Sequence, residues 1–292
     1  MIIAQKIYRK QRSSDSLAWA KEHIDEAPDG AVFLADFLDK ARGRQTRQWV
    51  FYEGQQAVTL LLKPKIFIDP VRPACFAEAT LSVGGKVETI LEPFTEVQDK
   101  FRRERVVENH ESNGGVRFNY LSMALSLGVF EPIKKYGVGL KWPNDFMHEG
   151  KKLGGMLCEL IWKGDQPYAV IVGFALNINN IFDQTDPLYP IATSLSTITQ
   201  TKHDMQSLLD ALFVSLDHWY HRWLNQDFEA IYQAWKAQQY YLGKKISVHT
   251  IEGQPISGQV LDFLANGDLL MQTEDGQHRT LPFYMVQEVL FN

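Results

Sequence analysis

Two periods of hydrophobic and polar residues run along the chain, and the changes between them mark out the elements. Leu17, Ala20 and Ile24 recur at helical spacing, with Ser14 or Asp15 just ahead as N-caps, which predicts a helix over 16–24. GAVFLADFL at 30–38 and AVTLLLKP at 57–64 are compact apolar runs bounded by turn residues and proline, and read as strands. The middle, about 78–117, mixes Gly84-Gly85 and Gly114-Gly115 turns with the charged run DKFRRERVVENHE; it reads as hairpin-like strands and an exposed segment. Leu121, Leu125 and Val129 predict a helix over 118–136, kinked near Pro132. GVGLKW and KLGGMLCELIW then read as two strands joined by one polar turn, and YAVIVGFALNIN at 168–179 as a third. Leu, Trp and Phe at three- and four-residue intervals make 203–239 a long helical region.

After Leu242-Gly243 the period drops to two. Short alternating runs broken by Glu252-Gly253, Asn266-Gly267 and Asp275-Gly276 are hairpin signals, and about fifty residues of them predict a small antiparallel barrel. The expected fold is therefore α+β: a mixed β-sheet with packed helices over 1–241, carrying an insertion around 75–117, then a small C-terminal barrel over 242–292.

Composition alters this picture little. The 292 residues are 45% hydrophobic and 22% charged, in the range of a globular protein with a sizeable core. A net charge of −5 leaves no excess of cations for non-specific hold on nucleic acid. Cys75 and Cys158 sit apart in apolar contexts and read as free thiols of a reducing compartment. No apolar run reaches membrane-spanning length and the N-terminal run is too short for a signal peptide, so a cytoplasmic location is expected, without membrane or DNA partners.

Three stretches could carry chemistry. ARGRQTRQW at 41–49 places Arg42, Arg44 and Arg47 around Gly43; guanidinium groups grip phosphate or carboxylate in two-pronged fashion, although such a loop alone reads first as a solvated surface. KWPND is followed by Lys152 and then Gly154-Gly155, an amine beside a backbone stripped of side chains, suited to an anionic group. Within it, Asp145 is either a magnesium carboxylate or a turn cap. Asn177, at the end of GFALN, needs partners if buried: a nucleotide or nearby backbone.

Taken in order, RGRQTRQW, KWPND, KKLGGMLCE, VGFALNIN and ATSL, ahead of the terminal alternating region, resemble the biotin–protein ligase family. Its members carry GRGRxGRxW, KWPND, KLxGxLxE and GxGxN in that order. The resemblance runs from about Ser13 to the C-terminus, with a gap in the middle. It implies a biotin/lipoate ligase-like catalytic domain and an SH3-like C-terminal barrel. It also implies a two-step reaction: biotin and ATP with Mg2+ give biotinyl-5′-adenylate, which then acylates a lysine of a biotin carboxyl carrier protein of acetyl-CoA carboxylase or a related carboxylase.

By the same resemblance, Lys152 and Arg44 are catalytic. Ser13, Ser14, Asp15, Leu38, Arg42, Gly43, Arg44, Lys152, Gly155 and Leu157 would bind biotin. Arg42, Arg44, Arg47, Trp49, Lys141, Asn144, Lys152 and Asn177 would bind ATP, and Asp145 the metal. The loop 180–192, with Phe182 and Tyr189, would close over the adenine. Only twelve residues precede Ser13, so the monofunctional type without a DNA-binding domain is expected.

Some positions depart from the family pattern. Leu38 replaces the glutamine that usually meets the ureido group, Asp15 an asparagine, and Ala41, Thr46 and Ala175 replace glycines. These leave two alternatives open: a ligase for another acyl acid such as lipoate, and a non-catalytic binding homologue. A homodimer is left open as well.

Overall fold

The computed structural model describes the chain except for residues 40, 44–47, 65–79, 84–85, 90–112, 165, 252 and 292. Strand β1 (Ile7–Ser13) leads through helix α1 (Ser16–Glu22) to β2 (Ala31–Leu38), which lies parallel to it, with α1 as the crossover that parallel neighbours require. Two short strands, β3 (Ala41–Arg42) and β4 (Gln48–Trp49), pair with each other before β5 (Gln55–Leu62). A hairpin of β6 (Thr80–Val83) and β7 (Lys86–Thr89) precedes helix α2 (Asn113–Phe130). Then come β8 (Gly139–Lys141), β9 (Asp145–His148), β10 (Lys151–Lys163) and β11 (Gln166–Asn177). Helices α3 (Leu195–Thr199), α4 (Met205–Leu224) and α5 (Phe228–Ala237) follow.

The main sheet has seven strands in the order β1-β2-β5-β11-β10-β9-β8, and every neighbouring pair except β1/β2 is antiparallel. Successive side chains of a strand point to opposite faces, so each strand contributes to two surfaces. One face is large and apolar. Val32, Leu34, Val58, Leu60, Val170, Val172 and Phe174 pack with α2 and α4 through Leu121, Leu125, Leu212 and Leu216. Burying each such side chain stabilises the fold by about 1.5–3 kcal/mol. The other face carries α1 at one end, where Leu17, Trp19 and Ala20 cover Phe33, Leu61 and Ile171.

The last five strands, β12 (Lys245–Thr250), β13 (Ile256–Phe263), β14 (Leu269–Thr273), β15 (His278–Leu281) and β16 (Val286–Phe291), form a second antiparallel sheet in the order β15-β14-β13-β12-β16. Among the described residues no pairing of its edge strands closes it into a barrel. Its apolar face, including Val248, Val260, Phe263 and Met271, continues the core of the main sheet. Polar links stitch the two together: the Trp142 indole donates to the Gly267 carbonyl (2.7 Å), and the Tyr232 hydroxyl to that of Phe263 (2.6 Å).

Four expectations are corrected. The single polar turn between two strands is two hairpins: Trp142-Pro143-Asn144, with a cis Trp142–Pro143 bond, joins β8 to β9, and Glu149-Gly150 joins β9 to β10. Asp145 consequently lies on a strand, opposite both Lys141 and Gly155. Gly114 and Gly115 are not a turn but lie in the first turn of α2, which begins at Asn113. That helix stops at Phe130, as expected where Pro132 disfavours helical backbone in the residue before it, and a short 3-10 turn, Lys134–Tyr136, follows. The region 203–239 breaks at residues 225–227 into α4 and α5. The charged run with Arg102, Arg103 and Arg105, and Cys75, lie outside the described residues.

Candidate active site

The strand registers explain how the second face becomes a site. Ala35 pairs with Ala57, Ala57 with Ala175, Ala175 with Gly155, and Gly155 with Asp145. Small side chains thus form one row across β2, β5, β11 and β10, a floor about 14 Å long at the usual strand spacing. The adjacent row is Phe33, Thr59, Gly173 and Leu157. Above it sits α1: Leu17 is 3.2 Å from where a Cβ on Gly173 would stand, and the Thr59 hydroxyl donates to that of Ser16 at 2.9 Å.

On the other side of the floor, Leu38 and Phe51 close over Ala35 and Ala57, with Phe37, Trp49 and Ala175 packed against them. Leu38 is paired with Ser13 across β1 and β2, so the first hydroxyl of the Ser13-Ser14-Asp15 run stands at this end. Asp15 is committed to α1 as its N-cap, accepting from the Leu17 and Ala18 amides at 3.0 and 3.1 Å.

The opposite end of the floor is charged. The Lys152 ammonium pairs with Asp145 at 2.6 Å, their side chains 35% and 17% exposed, and stands 5.0 Å from the centre of the Trp49 ring. Gly155 makes this pair possible: a Cβ there would lie 3.0 Å from Asp145 Oδ1 and 3.4 Å from Lys152 Cε. The Trp49 indole N–H, beside this cation, is buried and has no hydrogen-bond partner among the described residues, a position that an incoming acceptor would relieve.

Asn144 is closed on Met156: its side-chain amide donates to the Met156 carbonyl at 2.5 Å, and its backbone carbonyl accepts from the Met156 N–H at 2.9 Å. Asn177 is 2% exposed, and its amide is used inside the protein. Its Oδ1 accepts from Gln55 (2.6 Å), while its Nδ2 donates to the carbonyls of Thr193 (2.9 Å) and Lys152 (3.4 Å). Lys141 lies over the ring of Tyr241, 5.7 Å from its centroid. Burial, with the Asp145 charge adding to it, pushes the Tyr241 phenol well above the usual tyrosine range.

The loop after β11 borders this end. Phe182 meets Tyr52 edge to face at 5.3 Å, and Tyr189 receives Lys151, which reaches its carbonyl (2.9 Å) and its ring (4.6 Å). Asn180 in that loop is buried, and neither of its side-chain polar atoms has a partner among the described residues.

Of the residues singled out from sequence, Leu38, Trp49, Asp145, Lys152 and Gly155 border one floor, with Leu157 in the row beside it. Arg42 stands on β3 opposite Gln48, Gly43 follows it, and Arg44 and Arg47 lie outside the described residues. Reading by motif missed Ala35, Ala57, Thr59 and Gln55. The available signal was small residues recurring at one parity of otherwise bulky strands, in AVFLADFL, QQAVTLLL and VGFALN.

No cluster of three or more metal-binding side chains exists among the described residues. Asp145 is one carboxylate beside the cationic end, which fits an ion such as magnesium that takes most of its ligands from phosphates and water.

A floor of small side chains, roofed by aromatic and apolar groups and ending in a cation, fits an extended apolar molecule with an anionic end. The fold is that of a mixed-sheet protein whose second face carries this row and its cationic end. No family model matches the chain. The bifunctional ligase/repressor BirA of Bacillus spizizenii is 25% identical over 254 residues, covering 86% of this chain and 64% of that protein. The biotin–[acetyl-CoA-carboxylase] ligase of Mycobacterium tuberculosis is 28% identical over 265 residues, 89% of this chain and 79% of that one. Among solved structures, the biotin protein ligase from Aquifex aeolicus in complex with biotin and ATP superposes with a TM-score of 0.70, at 20% identity, over 99% of this chain and 100% of the other. The chain is thus similar in sequence to these ligases and shares the fold of the Aquifex protein. It spans 64% of the length of the Bacillus protein.

Proposed function

We propose that the protein activates biotin as biotinyl-5′-adenylate and transfers it to a lysine of a biotin carboxyl carrier protein, as an ATP-dependent ligase. The observation that carries this reading is the row Ala35–Ala57–Ala175–Gly155 ending on the Lys152–Asp145 pair. Biotin lies along the row, its bicyclic ring toward Ser13, Ser14 and Leu38 and its carboxylate at Lys152, with Gly155 and Leu157 beside the chain.

A carboxylate oxygen of biotin attacks the α-phosphorus of ATP, and the bond to pyrophosphate breaks. Negative charge gathers on the phosphoryl oxygens in that step. A positioned ammonium stabilises it most where water is excluded. Arg42, Arg44 and Arg47 add cationic donors, and their loop, with Gly43, shields the mixed anhydride from hydrolysis. Trp49, Lys141 and Asn144 border the nucleotide, and Phe182 and Tyr189 close its open side. Magnesium neutralises the phosphates when bound, and Asp145 would hold it. In the second step the neutral lysine amine of the carrier attacks the acyl carbon, AMP leaves, and the amine gives up its proton.

In this reading residues 1–241 are the catalytic domain, 75–117 is an insertion in it, and 242–292 is an SH3-like barrel beside the site that helps present the carrier. The observed continuous core fits two units that keep a fixed orientation. Reading of DNA is not part of the proposal, nor is a membrane; a homodimer is compatible with it.

Biotin-dependent exchange of labelled pyrophosphate into ATP tests the first step without needing the carrier. Exchange with biotin is expected; exchange with lipoate or octanoate alone would move the substrate, and none with any acid, from folded protein, would leave a binding protein.

A further inference from the structure

The charged end of the slot lies at the margin of the main sheet, and the C-terminal part of the chain fastens it there. Strand β8 is the last strand of that sheet, with β9 on one side. Its other side is taken by the segment after α5: the Leu140 N–H donates to the Gln238 carbonyl (3.0 Å), and the Leu140 carbonyl accepts from the Tyr240 N–H (2.6 Å). Two residues on, Trp142 is 2% exposed, and its indole N–H meets the Gly267 carbonyl at 2.7 Å. Lys141 lies between these two fastenings. Past Trp142 the turn is fastened again, by Asn144 on Met156 of β10, just before Asp145 and its partner Lys152.

The Gly267 carbonyl is held in place without help from Trp142. Residues 264–268 join β13 to β14, closed by the Gly267 N–H on the Leu264 carbonyl and the Leu264 N–H on that of Asp268, both 2.8 Å. The Asn266 side chain bonds Asp268 twice, accepting from its N–H (3.1 Å) and donating to its carboxylate (2.8 Å). Asn119 of α2 donates to the Asn266 carbonyl at 2.6 Å. Gly267 itself has a φ of +87°, a left-handed conformation that glycine adopts without strain. An indole has a single N–H and needs an acceptor when buried, so the ring must sit where that carbonyl stands.

We infer that Trp142 is a positioning residue for the charged end: through its indole, the 264–268 turn of the second sheet sets where Asp145 and Lys152 stand. The inference rests on the ligase reading for its kinetic consequence but not for its geometry. It gives the second sheet a part in the adenylation step, separate from any part in presenting the carrier.

Two variants test it from opposite sides of the bond. Trp142→Phe keeps an aromatic ring and removes the N–H. Gly267→Ala has room for its methyl, 3.6 Å from Met123 Cε, but strains the turn at that φ. In biotin-dependent pyrophosphate exchange each should lower kcat about tenfold while KM for biotin stays within about twofold, since the Ser13 and Leu38 end of the slot is untouched. Both act through one bond, so the double variant should fall no more than about twofold below the weaker single one. Losses that multiply to about 100-fold, an unchanged kcat, or a KM for biotin that rises as much as kcat falls would each overturn the inference. Amide hydrogen exchange reads the placement without activity: Trp142→Phe should speed exchange at Met156, whose N–H is held by the turn, at least about tenfold, and leave β2 and β5 as protected as in wild type. Unchanged protection at Met156, or an equal loss in β2 and β5, sinks the inference. If wild type shows no pyrophosphate exchange while Met156 alone loses protection, the ligase reading fails and the positioning role stands.

Discussion

The two faces of the main sheet are built from the same strands, yet they differ in almost every side chain. Beneath α2 and α4, β5 and β11 present Val58, Leu60, Val170, Val172 and Phe174, which fill the space between sheet and helices. On the opposite face the same strands present Ala57, Thr59, Gly173 and Ala175. A face that only needed covering would be filled with large side chains, because each buried methylene adds about 0.8 kcal/mol. Leu38 and Phe51 cover Ala57, whereas Ala175 and Gly155 stay partly buried in the row leading to Lys152 and forgo that stabilisation, as expected if another molecule supplies volume at that end.

Substitutions on each face should separate stability from activity. The largest effect is expected at Lys152→Ala, which should lower biotin-dependent exchange by about 10²–10³-fold, the range for losing one positioned electrostatic group, with the melting temperature little changed. Gly155→Val should separate Lys152 from Asp145 and lower exchange about 100-fold, as a misplacement of about 1 Å can do. Leu60→Ala, on the helix face, should destabilise by about 2–5 kcal/mol, read as a lower melting temperature, while KM for biotin in the folded fraction stays unchanged. If Leu60→Ala changed KM as much as Gly155→Val, the division of labour between the faces would be wrong.

The smallest effect concerns Cys158, whose thiol lies 3.9 Å from the Ser122 hydroxyl and is pushed up to about 12 by burial. A thiol raised this way stays protonated at neutral pH. Its contribution to stability is complete below about pH 9 and is lost as pH rises toward 12, where the unfolded chain releases the proton first. Iodoacetamide at pH 8 should therefore modify Cys158 at least about tenfold more slowly in folded protein than in denaturant.

Much of this was legible in the sequence. The strands at 30–38, 57–64 and 168–179 were marked by long apolar runs, and KWPND with KLGG located the charged end. What escaped was what depends on pairing between distant strands. Ala35, Ala57 and Gly155 are unremarkable apart, and only the register of four strands makes them a floor. The hairpin of β8 and β9 was missed because β9 has only four residues, too few to show a period. For Asn177 the residues alone left nucleotide or backbone open, because a buried amide announces a need for partners but not their identity. Leu38 reads as a lost hydrogen bond in sequence; in the fold it packs with Phe51 and Ala57.

The most direct test of the central claim is calorimetric titration of biotin into wild type and Ala175→Leu. Ala175 lies in the middle of the floor and is only partly buried, so a larger side chain there should occupy the slot without disturbing the helix face. Binding by wild type and an affinity at least about 30-fold weaker in the variant, at a melting temperature within about 2 °C, is the predicted result; about 2 kcal/mol of lost binding corresponds to that ratio. Equal binding by both proteins would contradict the account and place biotin elsewhere.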